Sequence, residues 1–178
     1  MTCIVGIIEK NKVYIGGDSA GVSGYDITVR KDTKVFKIDN FVFGCTSSFR
    51  MIQLIMFSFK PPKRLGDEDI FKYICTSFIN ELRLVLSKGG YTKINNNEET
   101  GGIFLVGYCG RLFKIEEDFQ VSESVDYYNA CGCGESYAKG ALFMMDSKMK
   151  VKDKIIKALE TATYFSVGVR PPFIIESV

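Results

Sequence analysis

Thr2-Cys3-Ile4-Val5-Gly6-Ile7-Ile8 is followed by the polar turn Lys10-Asn11-Lys12 and then by Val13-Tyr14-Ile15. Both apolar runs are rich in β-branched residues, whose restricted χ1 suits a pleated strand better than a helix. The pattern predicts an opening β-hairpin. Outward from it, Gly16 to Lys31 is polar and glycine-containing and reads as a connection. Lys34-Val35-Phe36-Lys37-Ile38, the turn Asp39-Asn40 and Phe41-Val42-Phe43 then read as a second hairpin.

Helical spacing starts where strand alternation stops. Ser47-Ser48 caps a predicted helix through Met51, Leu54, Ile55 and Phe59, which Pro61-Pro62 stops. Ile70, Ile74, Phe78, Leu82 and Val85 recur three and four apart and predict a second helix from near Asp67 to Gly89-Gly90. The segment from Gly90 to Thr100, with Asn95-Asn96-Asn97, reads as an exposed loop. Ile103 to Val106 and Leu112 to Ile115 flank Cys109-Gly110-Arg111 as a further hairpin, and Tyr127 to Cys131 adds a strand. Helices over Ser136 to Met145 and Asp153 to Phe165 and a closing strand at Phe173-Ile174-Ile175 complete the chain. This order is α+β, with helices and antiparallel sheets in segregated layers, and it lacks strict βαβ alternation. Neither GxGxxG nor GxxxxGK[ST] is present, which argues against nucleotide-binding α/β folds.

The 178 residues, 46% hydrophobic and 25% charged, fit a single domain spanning 1–178 with one well-filled core. The net charge of +2 is scattered along the chain, so neither a nucleic-acid nor a membrane partner is expected. The chain has no histidine, which removes Ser-His-Asp and Cys-His hydrolases and HExxH metalloproteases. The six cysteines form no CxxC pair and read as reduced, mostly buried thiols; Cys131-Gly132-Cys133 alone is a weak metal signal. The N-terminus is not a signal peptide and no apolar run reaches membrane length, so a cytoplasmic location is expected.

Without imidazole, the strongest chemical feature is the position of Thr2. Threonine is small enough to allow removal of Met1, which would set a β-hydroxyl beside a free α-amine able to act as its base. An unperturbed α-amine titrates near 7.7–8, so a minor fraction is already unprotonated at neutral pH. A lysine about 4 Å away repels the protonated amine by at most about 4 kcal/mol at an effective dielectric of about 20, and a quarter of that lowers its pKa by roughly 0.7. Such a site therefore calls for a lysine near Thr2 and an acid to hold it. Taken singly, Asp18 in a Gly-Asp-Ser turn is an ordinary turn residue and Lys34 a solvated strand charge.

Thr2-Cys3-Ile4-Val5, Gly16-Gly17-Asp18-Ser19 and Thr33-Lys34-Val35-Phe36 together resemble the N-terminal threonine hydrolases, specifically proteasome β-subunits and HslV. The separations of threonine, acid and lysine are the specific part. Ala130-Cys131-Gly132-Cys133-Gly134-Glu135-Ser136-Tyr137-Ala138 is similar to that family's Gly-Ser-Gly turn leading into a helix. The resemblance is specific from Thr2 to about Ser48 and from Ala130 to about Leu142, and elsewhere rests on element order.

The resemblance implies a four-layer αββα sandwich of two antiparallel sheets flanked by helices, the Ntn-hydrolase fold. It implies a threonine peptidase subunit in which Thr2 is nucleophile and base, Lys34 the activator, and Asp18 the lysine's partner. Ser47 or Ser48 would supply a backbone N–H to the oxyanion, Thr46 would line the specificity pocket, and Cys133 would take the place of the family's serine. No metal or organic cofactor is implied. The implied partners are a homo-oligomeric ring, a peptide or unfolded-protein substrate and an ATP-dependent unfoldase. Helix Met51 to Phe59 would offer apolar surface to ring neighbours, and Phe143-Met144-Met145 reads as core or subunit contact. Three departures stand out: Ser47-Ser48 where the family has glycine, Cys133 where it has serine, and Thr163-Tyr164-Phe165-Ser166 where it often has an acid. They keep two other readings open, a catalytically inactive structural or assembly protein of this type and an Ntn amidase acting on a small amide.

Overall fold

Strand β1 (Cys3–Glu9) is apolar at nearly every position because it is covered on both faces. Cys3, Val5 and Ile7 face a helical layer, and Ile4 faces a second sheet. The computed structural model describes residues 1–178. After β1 come β2 (Lys12–Gly17), β3 (Ala20–Ser23), β4 (Asp26–Val29), β5 (Val35–Ile38), β6 (Phe41–Cys45) and helix α1 (Phe49–Ser58). Helix α2 (Ile70–Tyr73) runs through a π-helical turn, Ile74–Phe78, into α3 (Ile79–Lys88). The second half holds β7 (Lys93–Asn95), β8 (Glu98–Thr100), β9 (Phe104–Tyr108), β10 (Arg111–Ile115), β11 (Val121–Glu123), β12 (Tyr128–Gly132), α4 (Glu135–Met144), α5 (Val151–Phe165) and β13 (Ile174–Ser177).

The main sheets have orders β12-β1-β2-β13 and β11-β10-β9-β6-β5, and every pairing is antiparallel. Ile4, Val13 and Ile15 of the first meet Val35, Val42, Leu105 and Leu112 of the second in a dry inner layer. On the outer face of the first sheet, Val5 packs with Ile155, Ala158 and Leu159 of α5 and with Ala138 and Leu142 of α4. On the outer face of the second, Phe43 and Phe104 pack under Met51 and Ile55 of α1 and Phe78 and Leu82 of the long helix. Stacked Phe41–Phe78 and edge-on Phe43–Phe59 pairs, with centroids 5.4 and 6.3 Å apart, fill that layer. The architecture is the expected αββα sandwich of helices and antiparallel sheets.

The element ends follow local chemistry. Ser48 caps α1 by accepting from the Arg50 N–H at 3.1 Å, and Asp69 caps the long helix by accepting from the Lys72 N–H at 2.9 Å. Five strands lie where the sequence read as connection or loop. Val22, Ile27 and Val29 supply the alternation for the β3–β4 hairpin within Gly16 to Lys31, inserted between the two expected hairpins. The Asn96-Asn97 turn, both residues at positive φ, folds the Gly90 to Thr100 segment into β7–β8. The short β11 was masked by its polar composition and pairs only along β10. Helix α1 also differs from expectation: Met51, Ile52, Leu54, Ile55 and Phe59 are buried inside the chain, and only Phe57 is strongly exposed. Its apolar face belongs to the core and is not open to a neighbour.

The sheets approach closely where Gly44 of β6 faces Ile4 and Ile15, and a Cβ there would lie 2.4 and 2.5 Å from their Cγ2 atoms. Gly44→Ala should lower the unfolding free energy by about 1–3 kcal/mol in urea titrations. Gly140→Ala in α4 meets nothing within 4 Å and should shift it the other way, by about 0.5–1 kcal/mol.

Candidate active site

Register places the acid. Pairing of Ile4 with Gly17 brings Asp18, just past β2, beside the start of β1. Its Oδ1 accepts from the Cys3 N–H at 3.0 Å, and its Oδ2 accepts from the N–H groups of Ala20 at 2.9 Å and Arg170 at 3.4 Å. Lys34 enters from the residue before β5, crossing from the other sheet. Its Nζ donates to Asp18 Oδ1 at 2.9 Å and to Thr2 Oγ1 at 2.8 Å. The two charged side chains are 1% and 0% exposed. Burial pushes the Lys34 ammonium below the ordinary lysine range, and the Asp18 carboxylate opposes that shift.

The opposite wall comes from β12. Gly132 pairs with Cys3 and has φ of 95°, and a Cβ there would lie 2.3 Å from Thr2 O, so only glycine fits. The turn that follows sets Cys133 against Thr2. The Thr2 N–H donates to Cys133 Sγ at 3.2 Å, the thiol donates to Thr2 O at 3.3 Å, and Ser166 Oγ lies 3.4 Å from the sulfur. The Thr2 nitrogen is here the amide of the Met1–Thr2 bond. The Thr2 hydroxyl donates to Met1 O, and Met1 packs on Gly168, where a Cβ would be 2.2 Å from its own.

Thr46, Ser47 and Ser48 form the turn between β6 and α1. The Ser48 N–H donates back to Thr46 O at 2.7 Å across Ser47, whose φ is 59°. That bond occupies the Ser48 donor, while the Ser47 N–H donates to no atom of the chain. Ser47 Oγ accepts from the Ile103 N–H at 3.0 Å and steadies a left-handed conformation that glycine adopts more readily. Thr46 Oγ1 donates to Ile103 O at 2.8 Å. A cavity of about 80 Å³ lies here, lined by Thr2, Lys34, Thr46, Ser47 and Ser48 together with Val22, Phe49 and Ile52.

All of the residues singled out in the sequence, Thr2, Asp18, Lys34, Thr46, Ser47, Ser48 and Cys133, thus meet in one place. Sequence reading missed the apolar wall. Val22 lay in the stretch read as a connection, and Phe49 and Ile52 looked like ordinary helix positions. It also treated Ser166 only as a missing acid, although Ser166 reaches Cys133. The cysteines are all free thiols; Cys3, Cys45 and Cys131 are buried, and Cys109 and Cys133 are exposed.

No protein-family profile matches the chain, and no curated protein matches it in sequence. Its fold does match solved structures. BPH from Thiobacillus denitrificans, in complex with epoxomicin, superposes with a TM-score of 0.80 at 17% identity, over 99% of this chain and 98% of that one. HslV from Trypanosoma brucei gives 0.68 at 19% identity over 99% and 98%. Anbu, the ancestral β-subunit from Yersinia bercovieri, gives 0.67 at 14% identity over 99% and 81%. All are N-terminal-nucleophile folds of the proteasome type, and this chain has that fold. No helix is long and apolar enough to cross a membrane.

The buried pair gives the site's sharpest energetic test. Asp18→Asn leaves the Lys34 cation buried without its counter-charge and should destabilise the chain by about 3–5 kcal/mol in denaturant titrations. Asp18→Asn combined with Lys34→Met should recover a large part of that loss, whereas additive losses would mean that the two groups act separately.

Proposed function

We propose that this protein is a threonine peptidase subunit whose nucleophile is Thr2 after removal of Met1. The observation that supports it is the single lysine nitrogen bridging Thr2 Oγ1 and Asp18 Oδ1 inside a buried pocket. With Met1 gone, the Thr2 amine takes the proton from its own hydroxyl, and Oγ attacks a peptide carbonyl. The Lys34 cation stabilises the forming alkoxide, and the unoccupied Ser47 N–H is the donor for the oxyanion. The tetrahedral intermediate collapses as the peptide C–N bond breaks and the leaving amine takes the proton held by the Thr2 amine; the ester that remains is hydrolysed by water activated by the same amine. Ser48 serves this reading as helix cap, Cys133 as hydrogen-bond partner of the Thr2 nitrogen, and Thr46 as part of the pocket wall.

The substrate in this reading is a peptide or unfolded protein, delivered to a homo-oligomeric ring with an ATP-dependent unfoldase as partner. Exposed Phe143 and Met144 on α4, and Tyr164 and Phe165 at the end of α5, offer apolar surface for ring contacts. A second reading, a catalytically inactive structural or assembly protein, is favoured by Ser47-Ser48, Cys133 and the absence of an acid in Thr163-Tyr164-Phe165-Ser166; if Met1 were retained, the Thr2 nitrogen would be an amide and no base. A protein that retained Met1 would be a structural member of its assembly.

Intact mass separates the two readings. A natively expressed sample lacking one methionine should form an adduct with epoxomicin, the molecule in complex with the Thiobacillus denitrificans protein, and a sample that retains Met1 should not. Lys34→Ala should abolish that adduct; a folded variant that still labels at the wild-type rate overturns the role of Lys34. Labelling without turnover of any peptide in a fluorogenic panel would point to a small-amide substrate.

The pH profile has a defined sign. The rate should rise as the Thr2 amine loses its proton and fall as Lys34 loses its own. Because burial lowers the Lys34 pKa from 10.5, the alkaline limb should have its midpoint below that value. Steady-state labelling rates across pH test this.

A further inference from the structure

Helix α5 ends at Phe165; the Ser166 N–H still closes on Ala162 O at 2.9 Å and the Val169 N–H donates to Ser166 O at 3.3 Å, but no amide beyond the helix reaches Thr163 O. Thr163 O, Ser166 O and Val169 O converge on one atom, Nη1 of Arg170, at 3.4, 3.3 and 2.8 Å. Nη1 carries two hydrogens for three oxygens. Such an oxygen-rich nest, at the negative end of a helix, is better satisfied by a full positive charge than by a neutral donor.

The main chain of the same residue reaches the catalytic acid. The Arg170 N–H donates to Asp18 Oδ2 at 3.4 Å, and Arg170 O accepts from the Ser19 N–H at 2.9 Å. Inside the loop that the guanidinium closes, Ser166 touches the sulfur of Cys133, which touches the Thr2 nitrogen. Gly168 of that loop carries Met1. Both walls around Thr2 are thus tied to one side chain outside the pocket.

The geometry points to Arg170 as a positioning residue: its guanidinium is a built-in cation that closes the three-carbonyl nest after α5, holding Ser166 against Cys133 and its own amide against Asp18. Lysine in its place sets an ammonium near the same oxygens with a shorter reach. Glutamine or alanine leaves the nest without charge, open to a small cation from solution. The effect on rate rests on the threonine-peptidase reading, whereas the closure of the loop does not.

Two readouts keep those apart. In protein lacking Met1, Arg170→Ala and Arg170→Gln should label with epoxomicin roughly tenfold to a hundredfold more slowly, since small misplacements of reacting groups have effects of that size. Arg170→Lys should retain an intermediate rate. Guanidinium chloride at millimolar concentration, well below denaturing levels, should restore much of the loss in Arg170→Ala and leave wild type unchanged. Separately, in the chain with Met1 attached, amide exchange at Val169 and Arg170 should quicken in Arg170→Ala and slow again with guanidinium. A folded Arg170→Ala or Arg170→Gln protein with wild-type labelling rate, or a loss that guanidinium does not restore, overturns the proposal. So does unchanged amide exchange. If Met1-free wild type fails to label at all, the peptidase reading falls and the exchange measurement alone decides the role of Arg170.

Discussion

The Lys34–Asp18 ion pair is the constraint around which the rest of the site is arranged. A lysine with a side chain 1% exposed is tenable only where a carboxylate and further acceptors surround its ammonium. Asp18 meets that need because its own oxygens are held by three backbone N–H groups, from Cys3, Ala20 and Arg170. The pair therefore ties the start of β1, the end of β2 and the segment before β13 to the lysine that opens β5. Since β5 belongs to the other sheet, one electrostatic contact spans the inner layer of the sandwich. Thr2 Oγ1 completes the lysine's coordination.

Close packing makes that contact reproducible. Gly17 abuts Ile4 and Val35, Gly44 abuts Ile4 and Ile15, and Gly132 abuts Thr2 O. These glycines let the sheets and the β12 turn approach at the end of the sandwich where the pocket lies. Larger residues there would push apart the strands that carry the lysine and its acid. Stability and chemistry share these positions, so a loss of labelling in a glycine variant is informative only beside a measurement of folding.

Much of this was legible because β-branched runs, turn residues and three–four spacing report directly on local structure. The two main hairpins, the helices and the closing strand appear where those patterns lie. The β3–β4 hairpin was hidden because its strands are only four residues long and lie in a glycine-containing stretch, and β7–β8 because its three-residue strands are mostly polar and exposed, so alternation had little length or contrast. The site was legible through the separations of Thr2, Asp18 and Lys34, since each sits at the start or end of a recognisable strand. Val22, Phe49 and Ile52 were not, because no local pattern distinguishes a pocket-lining apolar residue from one in the core. Arg170 was equally silent: its role comes from carbonyls that converge only once α5 has ended and the chain has turned back.

The three departures from the proteasome-like pattern have different physical weight. Serine at position 47 adopts the left-handed conformation that glycine favours, and its hydroxyl offsets part of that cost by accepting from Ile103. The backbone donor therefore survives the substitution. Cysteine at position 133 gives the Thr2 nitrogen a weaker acceptor than a hydroxyl. The absence of an acid near Ser166 alters the electrostatics more. Both Asp18 oxygens are already engaged, so a free Thr2 amine would have the Lys34 cation and neutral partners nearest to it. The Lys34 cation disfavours a second positive charge beside it, and the Asp18 carboxylate of the same ion pair offsets part of that repulsion. Losing the acid thus removes both an anchor for the amine and a negative charge that would hold its proton. The substitutions that make the site look impaired in sequence therefore keep its backbone donor and its lysine in place and shift the anchoring of the Thr2 nitrogen onto neutral partners in the loop that Arg170 closes.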